Sequence, residues 1–240
     1  NRTLTICELG LLECGYFIFN HNTEITNLIE KMSEELQECT TAFTDGIANS
    51  VFDSIGKTQQ YRKQEKWTNF KKSIESNARS ISDAAIKVMY PECYQDMQDQ
   101  GVIICTDKKH DEQRLHYDMT VEYLTMGLHQ YVSRGLISPL QVSMITPFNK
   151  NGRKLKIMRN SHLMSSTEIQ TIIQEKNQAK HEEILHIKQG ETIIFLVNLA
   201  HAGVKLDDDV GTDKNYAMHI QSESKWMGRE KFQHMFHYKK

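Results

Sequence analysis

Two residues in one short segment have the types and spacing of metal ligands. His116 and Asp118 lie two residues apart in the strand-like segment QRLHYDM, and the alternation of a β-strand places both side chains on one face. His201 follows the apolar run TIIFLVNLA and lies between two alanines. Two imidazoles and one carboxylate form a facial triad that leaves three positions of an octahedral iron(II) ion open. The three residues are therefore candidate metal ligands.

Each half of this pattern also has a purely structural interpretation. An H-x-D triplet arises readily by chance in a chain with 11 histidines. A histidine that ends a buried strand, as His201 is predicted to do, is also accommodated when its ring nitrogens find partners in the core. The separation from His116 to His201 spans several predicted strands, as two strands on opposing sheets would require.

The first hundred residues are predicted to be mainly helical. A short strand is expected within 11–19, and Thr23 can cap a helix whose apolar residues recur at helical spacing up to Leu36. Residues 40–62 are predicted to be a loop-rich surface. A second helix is predicted from Trp67 to Pro91, which ends it.

After residue 100 the pattern changes to short apolar strands separated by polar turns. An Asn-Gly pair at 151–152 marks a tight turn between two of them, and a helix or long excursion is expected over 165–182. Helices followed by many short strands indicate an α+β protein, with an antiparallel sandwich or barrel and helices packed outside. The predicted strands are 101–105, 114–124, 140–148, 154–158, 182–188, 192–200 and 215–221.

Composition limits the classes of partner and compartment. The chain has 240 residues, which is long enough for one large domain. Its net charge is −2. That charge does not demand a nucleic-acid or membrane partner, although a nucleic-acid substrate stays possible. No apolar run approaches a bilayer span. An odd number of cysteines without a CxxC pair indicates reduced thiols and an intracellular protein, in cytoplasm or nucleus. They are Cys7, Cys14, Cys39, Cys93 and Cys105.

Taken in order, several segments resemble those of the iron(II)- and 2-oxoglutarate-dependent dioxygenases of the prolyl-hydroxylase and phytanoyl-CoA-hydroxylase type. These segments are GYFIF, QRLHYD, LQVSMIT, KLKIMRNSH and EEILHIKQGETIIFLVNLAHAG. The resemblance implies a double-stranded β-helix, or jelly roll, with the N-terminal helices packed outside. It predicts a single domain over 1–240, comprising a helical layer (1–100), a jelly-roll core (101–221) and a C-terminal tail (222–240).

The same resemblance implies a function. His116, Asp118 and His201 would bind iron(II), with 2-oxoglutarate as cosubstrate, and an unidentified substrate would be hydroxylated or demethylated. The protein would hold the metal, keep one position open for dioxygen and aim a C–H bond of the substrate.

One departure from the family bears on activity. The family usually carries an arginine on the strand after the distal histidine, where it binds the far carboxylate of 2-oxoglutarate. The matching segment here is NYAMHIQ, and Ala217 stands at that position. His219 and Lys214 are candidate replacements, and Lys154 or Lys156 could act from another strand. The alternatives are a non-catalytic jelly-roll protein that binds metal or a partner, and a cupin-like protein with another small cosubstrate.

Three other features have weaker functional interpretations. The basic segment NKNGRKLKIMR could contact phosphates, but a solvated strand face is the preferred interpretation. His162 could shape a pocket mouth or cap a turn. His234 and His237 have the i, i+3 spacing of a metal pair on a helix, and a packed amphipathic tail explains them better.

Overall fold

The computed structural model describes residues 5–49, 58–89, 101–109, 111–118, 142–175, 177–206 and 214–221. The helices are α1 (Ile6–Cys14), α2 (Thr23–Gln37), α3 (Lys72–Met89), α4 (Ser166–Gln174) and α5 (Gln178–His181). The strands are β1 (Tyr16–Asn20), β2 (Thr44–Asn49), β3 (Thr58–Lys66), β4 (Gly101–Asp107), β5 (Val142–Pro147), β6 (Arg153–Met158), β7 (Glu182–Ile187), β8 (Glu191–Leu196), β9 (His201–Gly203) and β10 (Lys214–Gln221). Short 3-10 helices lie at Trp67–Asn69 and Ser161–Leu163.

The strands form two antiparallel sheets. The larger sheet has the order β1-β8-β5-β10-β4-β3-β2, and the smaller has the order β7-β6-β9. From β5 onward the chain passes from the large sheet to the small one, back at β8, to the small one at β9 and back at β10. This repeated crossing between two sheets is the jelly-roll arrangement, and together with the helices it confirms the predicted α+β class.

The N-terminal helices pack on the outer face of the large sheet. The apolar faces of α2 and α3 share one core with the large sheet, and α2 contacts β10. Tyr216 on β10 lies on this outer side, where its ring is 6.0 Å from that of Phe43. Since side chains alternate along a strand, Ala217 and His219 point the other way, into the space between the sheets.

The beginning of the chain differs from its prediction. Residues 11–14 belong to α1 rather than to a strand, and the strand begins only at Tyr16. The hydroxyl of Thr5 and the carboxylate of Glu8 form a reciprocal capping box that starts the helix. Gly15, at φ 83°, ends it in the left-handed conformation. Local end signals thus outweigh the apolar character of the segment.

The predicted loop over 40–62 was wrong, because β2 and β3 form an antiparallel pair at the edge of the large sheet. β3 in turn pairs with β4, with Lys63 opposite Cys105 and Lys66 opposite Val102. Backbone hydrogen bonds hold such an edge, so the sequence need not show apolar alternation. The first hundred residues therefore contribute three strands as well as helices.

The second predicted helix begins later than expected. Trp67 lies in a 3-10 turn, and α3 starts at Lys72. The Trp67 side chain is fully buried, and its six-membered ring lies directly over Gly101 at the start of β4. This contact fixes the turn that precedes α3 against the large sheet.

Two sequence-based expectations concern membranes and thiols. Within the described segments, no helix combines the length and the apolar character needed to cross a bilayer. Cys7, Cys14, Cys39 and Cys105 are free thiols, and Cys93 lies outside the described residues.

Candidate metal centre

A short backbone pairing brings the two histidines of the predicted triad together. The amide of His116 donates to the carbonyl of His201 at 2.8 Å, and the amide of His201 donates back at 3.0 Å. Their ring centroids are 4.5 Å apart. A strand was predicted over 114–124. Of its described residues, 114–118, only His116 forms a strand-like pairing, as an isolated bridge. Residues 119–124 lie outside the described part of the chain. The bridge extends the small sheet beside β9, so the prediction that the two histidines lie on opposing sheets was wrong: they are direct neighbours in one sheet.

His201 begins a strand rather than ending one. β8 stops at Leu196, and a turn closed by the bond from the Leu199 amide to the Leu196 carbonyl, at 2.8 Å, carries the chain to the small sheet. The predicted strand over 192–200 was therefore too long. This crossing is what places His201 opposite the large sheet and beside His116.

Both histidine rings are oriented by backbone carbonyls. The Nδ1 atom of His116 is 3.0 Å from the carbonyl oxygen of Arg114, and that of His201 is 3.0 Å from the carbonyl oxygen of Leu199. A carbonyl oxygen only accepts, so each Nδ1 carries the hydrogen. The lone pair of each neutral ring then lies on Nε2, the atom left to bind a metal.

Asp118 completes the group from the other side. Its amide donates to the carbonyl of Val197 at 3.1 Å, and its Oδ1 atom is 3.6 Å from Nε2 of His201. The hydroxyl of Ser143 on β5 donates to Oδ2 at 2.5 Å. One ligand atom from each of His116, Asp118 and His201 lies within 4.8 Å of the others. The structure thus assembles the three predicted ligands in one place.

A third histidine faces the same carboxylate. Nε2 of His219 is 3.4 Å from Oδ2 of Asp118, and this buried nitrogen makes no aligned hydrogen bond within the described structure. The ring of Phe195 meets that of His201 edge-on at a centroid distance of 4.6 Å. The triad is therefore bordered by the apolar ring of Phe195 on one side and by the imidazole of His219 on another.

The electrostatics of the site suit a divalent cation. Burial alone would raise the pKa of Asp118, but the charge interaction with His201 and contacts with His219 hold it well below its ordinary value. Burial lowers the pKa of His201 to about 4, although Asp118 opposes that shift. At neutral pH the carboxylate is ionised and the His201 ring is neutral. These are the protonation states that metal binding requires.

The residues therefore fit the metal that the sequence pattern predicts. Two imidazoles and one carboxylate are a donor set suited to iron(II). Their orientation by Arg114, Leu199 and Ser143 is the outer-shell support that metal ligands need. The group carries negative charge in a buried place, which a divalent cation would neutralise.

The candidate cosubstrate residues lie in different places. His219 faces the metal end of the site, whereas Lys214 is exposed and shares strand parity with the outward Tyr216. Ala217 is fully buried and faces the space between the sheets. Lys156 lies on the outer face of β6, where its ammonium contacts Glu112 and Glu182. The structure brings His219, and not Lys214 or Lys156, to the candidate metal group.

The other singled-out histidines lie apart from this group. His162 is fully buried, and its Nε2 atom is 3.3 Å from the carbonyl oxygen of Leu12. It therefore joins the 3-10 turn after β6 to α1 rather than shaping a pocket mouth. His234 and His237 lie outside the described residues.

Two residues of interest were not predicted. Ser143 supports Asp118, but a serine in an apolar strand carries no signal by itself. Arg153 was counted with a solvated basic face, yet it is only 8% exposed. Its strand parity with Leu155 and Ile157 was the available signal, because both belong to the core.

We expect Ser143→Ala to weaken iron(II) binding by roughly 10–100-fold, the usual loss when a ligand loses its outer-shell partner. The measurement is anaerobic iron(II) titration. Ser82→Ala is the matched control, since Ser82 is fully buried in α3 and its hydroxyl has no hydrogen-bond partner within the described structure. Equal iron affinity in the two variants would show that the Ser143 hydroxyl does not orient Asp118.

Comparisons with known proteins support the fold. No protein-family model matches the sequence, and no curated protein matches it. Among solved structures, it is similar to the non-heme alpha-ketoglutarate-dependent carbocyclase SnoK of nogalamycin biosynthesis, with a TM-score of 0.51 and 12% identity over 91% of this chain and 83% of that one. It is also similar to the non-heme alpha-ketoglutarate-dependent epimerase SnoN of the same biosynthesis, with a TM-score of 0.51 and 8% identity over 88% of this chain and 80% of that one. At these identities the likeness shows that the chain has the jelly-roll fold of these enzymes.

Proposed function

We propose that this protein is an iron(II)- and 2-oxoglutarate-dependent oxygenase that hydroxylates or demethylates a substrate. The observation that carries the proposal is the triad itself. His116, Asp118 and His201 meet between the sheets, and both histidine rings turn Nε2 away from their carbonyl partners. The shared fold with SnoK and SnoN supports the same class of chemistry.

The residues around the candidate metal centre would have three separate roles. His116, Asp118 and His201 would hold iron(II), which with 2-oxoglutarate and dioxygen supplies the oxidising chemistry. Ser143 keeps Asp118 in place through its hydroxyl. Phe195 excludes water from one side of His201, which strengthens the electrostatic interactions within the site.

His219 would act next to the metal rather than on it. Its Nε2 atom is 3.4 Å from Oδ2 of Asp118, so the ring can form a hydrogen bond with a polar group bound beside the carboxylate. A cosubstrate or substrate oxygen that enters the site would find this nitrogen available.

A second candidate function rests on Ala217. Because this residue is fully buried and cannot bind a carboxylate, a non-catalytic jelly-roll protein that binds metal without 2-oxoglutarate is the alternative. A cupin-like protein with another small cosubstrate has the same motivation.

Anaerobic titration of the purified protein with iron(II), then with 2-oxoglutarate, separates these functions. We expect a weak visible charge-transfer band on addition of the oxo acid, and succinate once oxygen is admitted. Iron binding without the band would favour the non-catalytic alternative. Failure to bind iron would contradict both functions.

A further inference from the structure

Arg153 is a buried cation that faces the space between the two sheets. It is 8% exposed and shares strand parity with Leu155 and Ile157, whereas Lys154 and Lys156 alternate with it. The outward direction of Lys156 is fixed by its contacts with Glu112 and Glu182. Alternation along β6 therefore turns the guanidinium of Arg153 inward.

The guanidinium lines a pocket with a positive and polar wall. Of the nine described residues around this pocket, three are cationic and none is acidic: Thr106, Asn151, Gly152, Arg153, Lys154, Val204, Lys205, Leu206 and Asn215. Thr106 and Asn215 are each 2% exposed. The Thr106 hydroxyl, which can donate, has no hydrogen-bond partner within the described structure. A buried hydroxyl is ordinarily satisfied, and together with the guanidinium of Arg153 it gives this part of the pocket the character of an anion site.

The pocket and the candidate metal centre lie along the same two strands. On β6, Ile157 is opposite His201, and Arg153 lies four residues further along, roughly 13 Å in backbone distance. On β10, Asn215 lies the same four residues from His219, and it pairs with Thr106 across the sheet. Between them Ala217 adds only a methyl group to the space.

We propose that Arg153 binds the far carboxylate of the cosubstrate, with the hydroxyl of Thr106 as a second donor. This inference rests on the proposed function. It assigns to Arg153 the positive charge that Ala217 does not provide. The positive charge comes from β6 in the small sheet, so β10 needs none at Ala217. A guanidinium offers two parallel N–H donors to a carboxylate, a geometry that lysine does not match.

The test compares two oxo acids on the manganese(II)-loaded protein by calorimetry. 2-Oxoglutarate has a far carboxylate, whereas 2-oxovalerate has the same carbon chain and the same chelating end without it. We expect wild type to prefer 2-oxoglutarate, and Arg153→Leu to lose about 30-fold or more of its affinity. The affinity for 2-oxovalerate should stay unchanged. The affinity of Arg153→Lys for 2-oxoglutarate should lie between those of wild type and Arg153→Leu. The lysine variant replaces the leucine variant in the test if the latter does not fold.

Lys156→Gln is the matched control, because it removes a cation from the outer face of the same strand. Its affinity for both oxo acids should equal that of wild type. If wild type prefers 2-oxoglutarate and both Arg153 variants keep that preference, this inference is wrong and the proposed function stands. If wild type binds manganese(II) but neither oxo acid, the proposed function fails, and this inference fails with it.

Discussion

Asp118→Ala is expected to abolish iron(II) binding and turnover. The substitution removes the one carboxylate of the triad and leaves Ser143 and His219 facing an empty space. Loss of an outer-shell partner alone costs roughly 10–100-fold in metal affinity, so loss of the ligand should exceed about 100-fold. The measurement is anaerobic iron(II) titration, followed by succinate formation in the presence of 2-oxoglutarate and oxygen.

Two further variants make the Asp118 result specific. Asp118→Asn keeps the shape of the side chain and removes the charge, so a comparable loss would assign the effect to the negative charge. Asp111→Ala removes an exposed carboxylate seven positions earlier in the chain and should bind iron like wild type. Wild-type iron content in Asp118→Ala would mean that the triad is a coincidence of spacing, and only the fold would remain.

Gly101→Ala is expected to be the most destabilising single-methyl change among the described glycines without a left-handed backbone. A Cβ atom at this position would overlap the six-membered ring of Trp67, which is fully buried and has no room to withdraw. Since Gly101 is not among the glycines with positive φ, the cost is steric. Overpacking costs typically 1–3 kcal/mol, and so direct an overlap should lie at about 3 kcal/mol or more. A melting temperature lowered by roughly 6–12 °C is expected for a chain of this size.

A double-mutant cycle distinguishes this contact from a general loss of stability. Trp67→Leu removes the ring, so adding Gly101→Ala to it should cost much less than Gly101→Ala alone. Gly10→Ala is the control, because its added methyl group would come no closer than 3.1 Å to the ring of Phe17 and 3.2 Å to the carbonyl oxygen of Tyr16, without the overlap seen at Gly101. Additive effects of the two substitutions would show that Trp67 does not press on Gly101.

Much of the architecture was open to prediction from local pattern. The apolar spacing in α2 and α3, and the short apolar runs after residue 100, reflect side chains that must share one face of a helix or fill a strand. The pairing of His116 with Asp118 needed only the alternation of an extended chain. The α1 helix was missed, although the Thr5 and Glu8 capping pair and Gly15 marked its two ends.

The remaining features depend on contacts between distant segments. β2 and β3 are polar edge strands whose pairing with β4 arises from backbone hydrogen bonds, which leave little trace in composition. The approach of His219 to Asp118 depends on the relative positions of β10 and the segment of His116, which no single segment encodes.

The sequence by itself determined which residues could bind a metal, because residue type and strand alternation are local properties. Only the tertiary structure decided where they meet. The chain crosses to the small sheet before His201, and this crossing sets that residue beside His116. Pairing within the same sheet turns Arg153 inward, so its side chain is buried although its neighbours in the sequence are basic. The charge of a segment is visible in its sequence, but the direction that each charge faces depends on which sheet the strand joins.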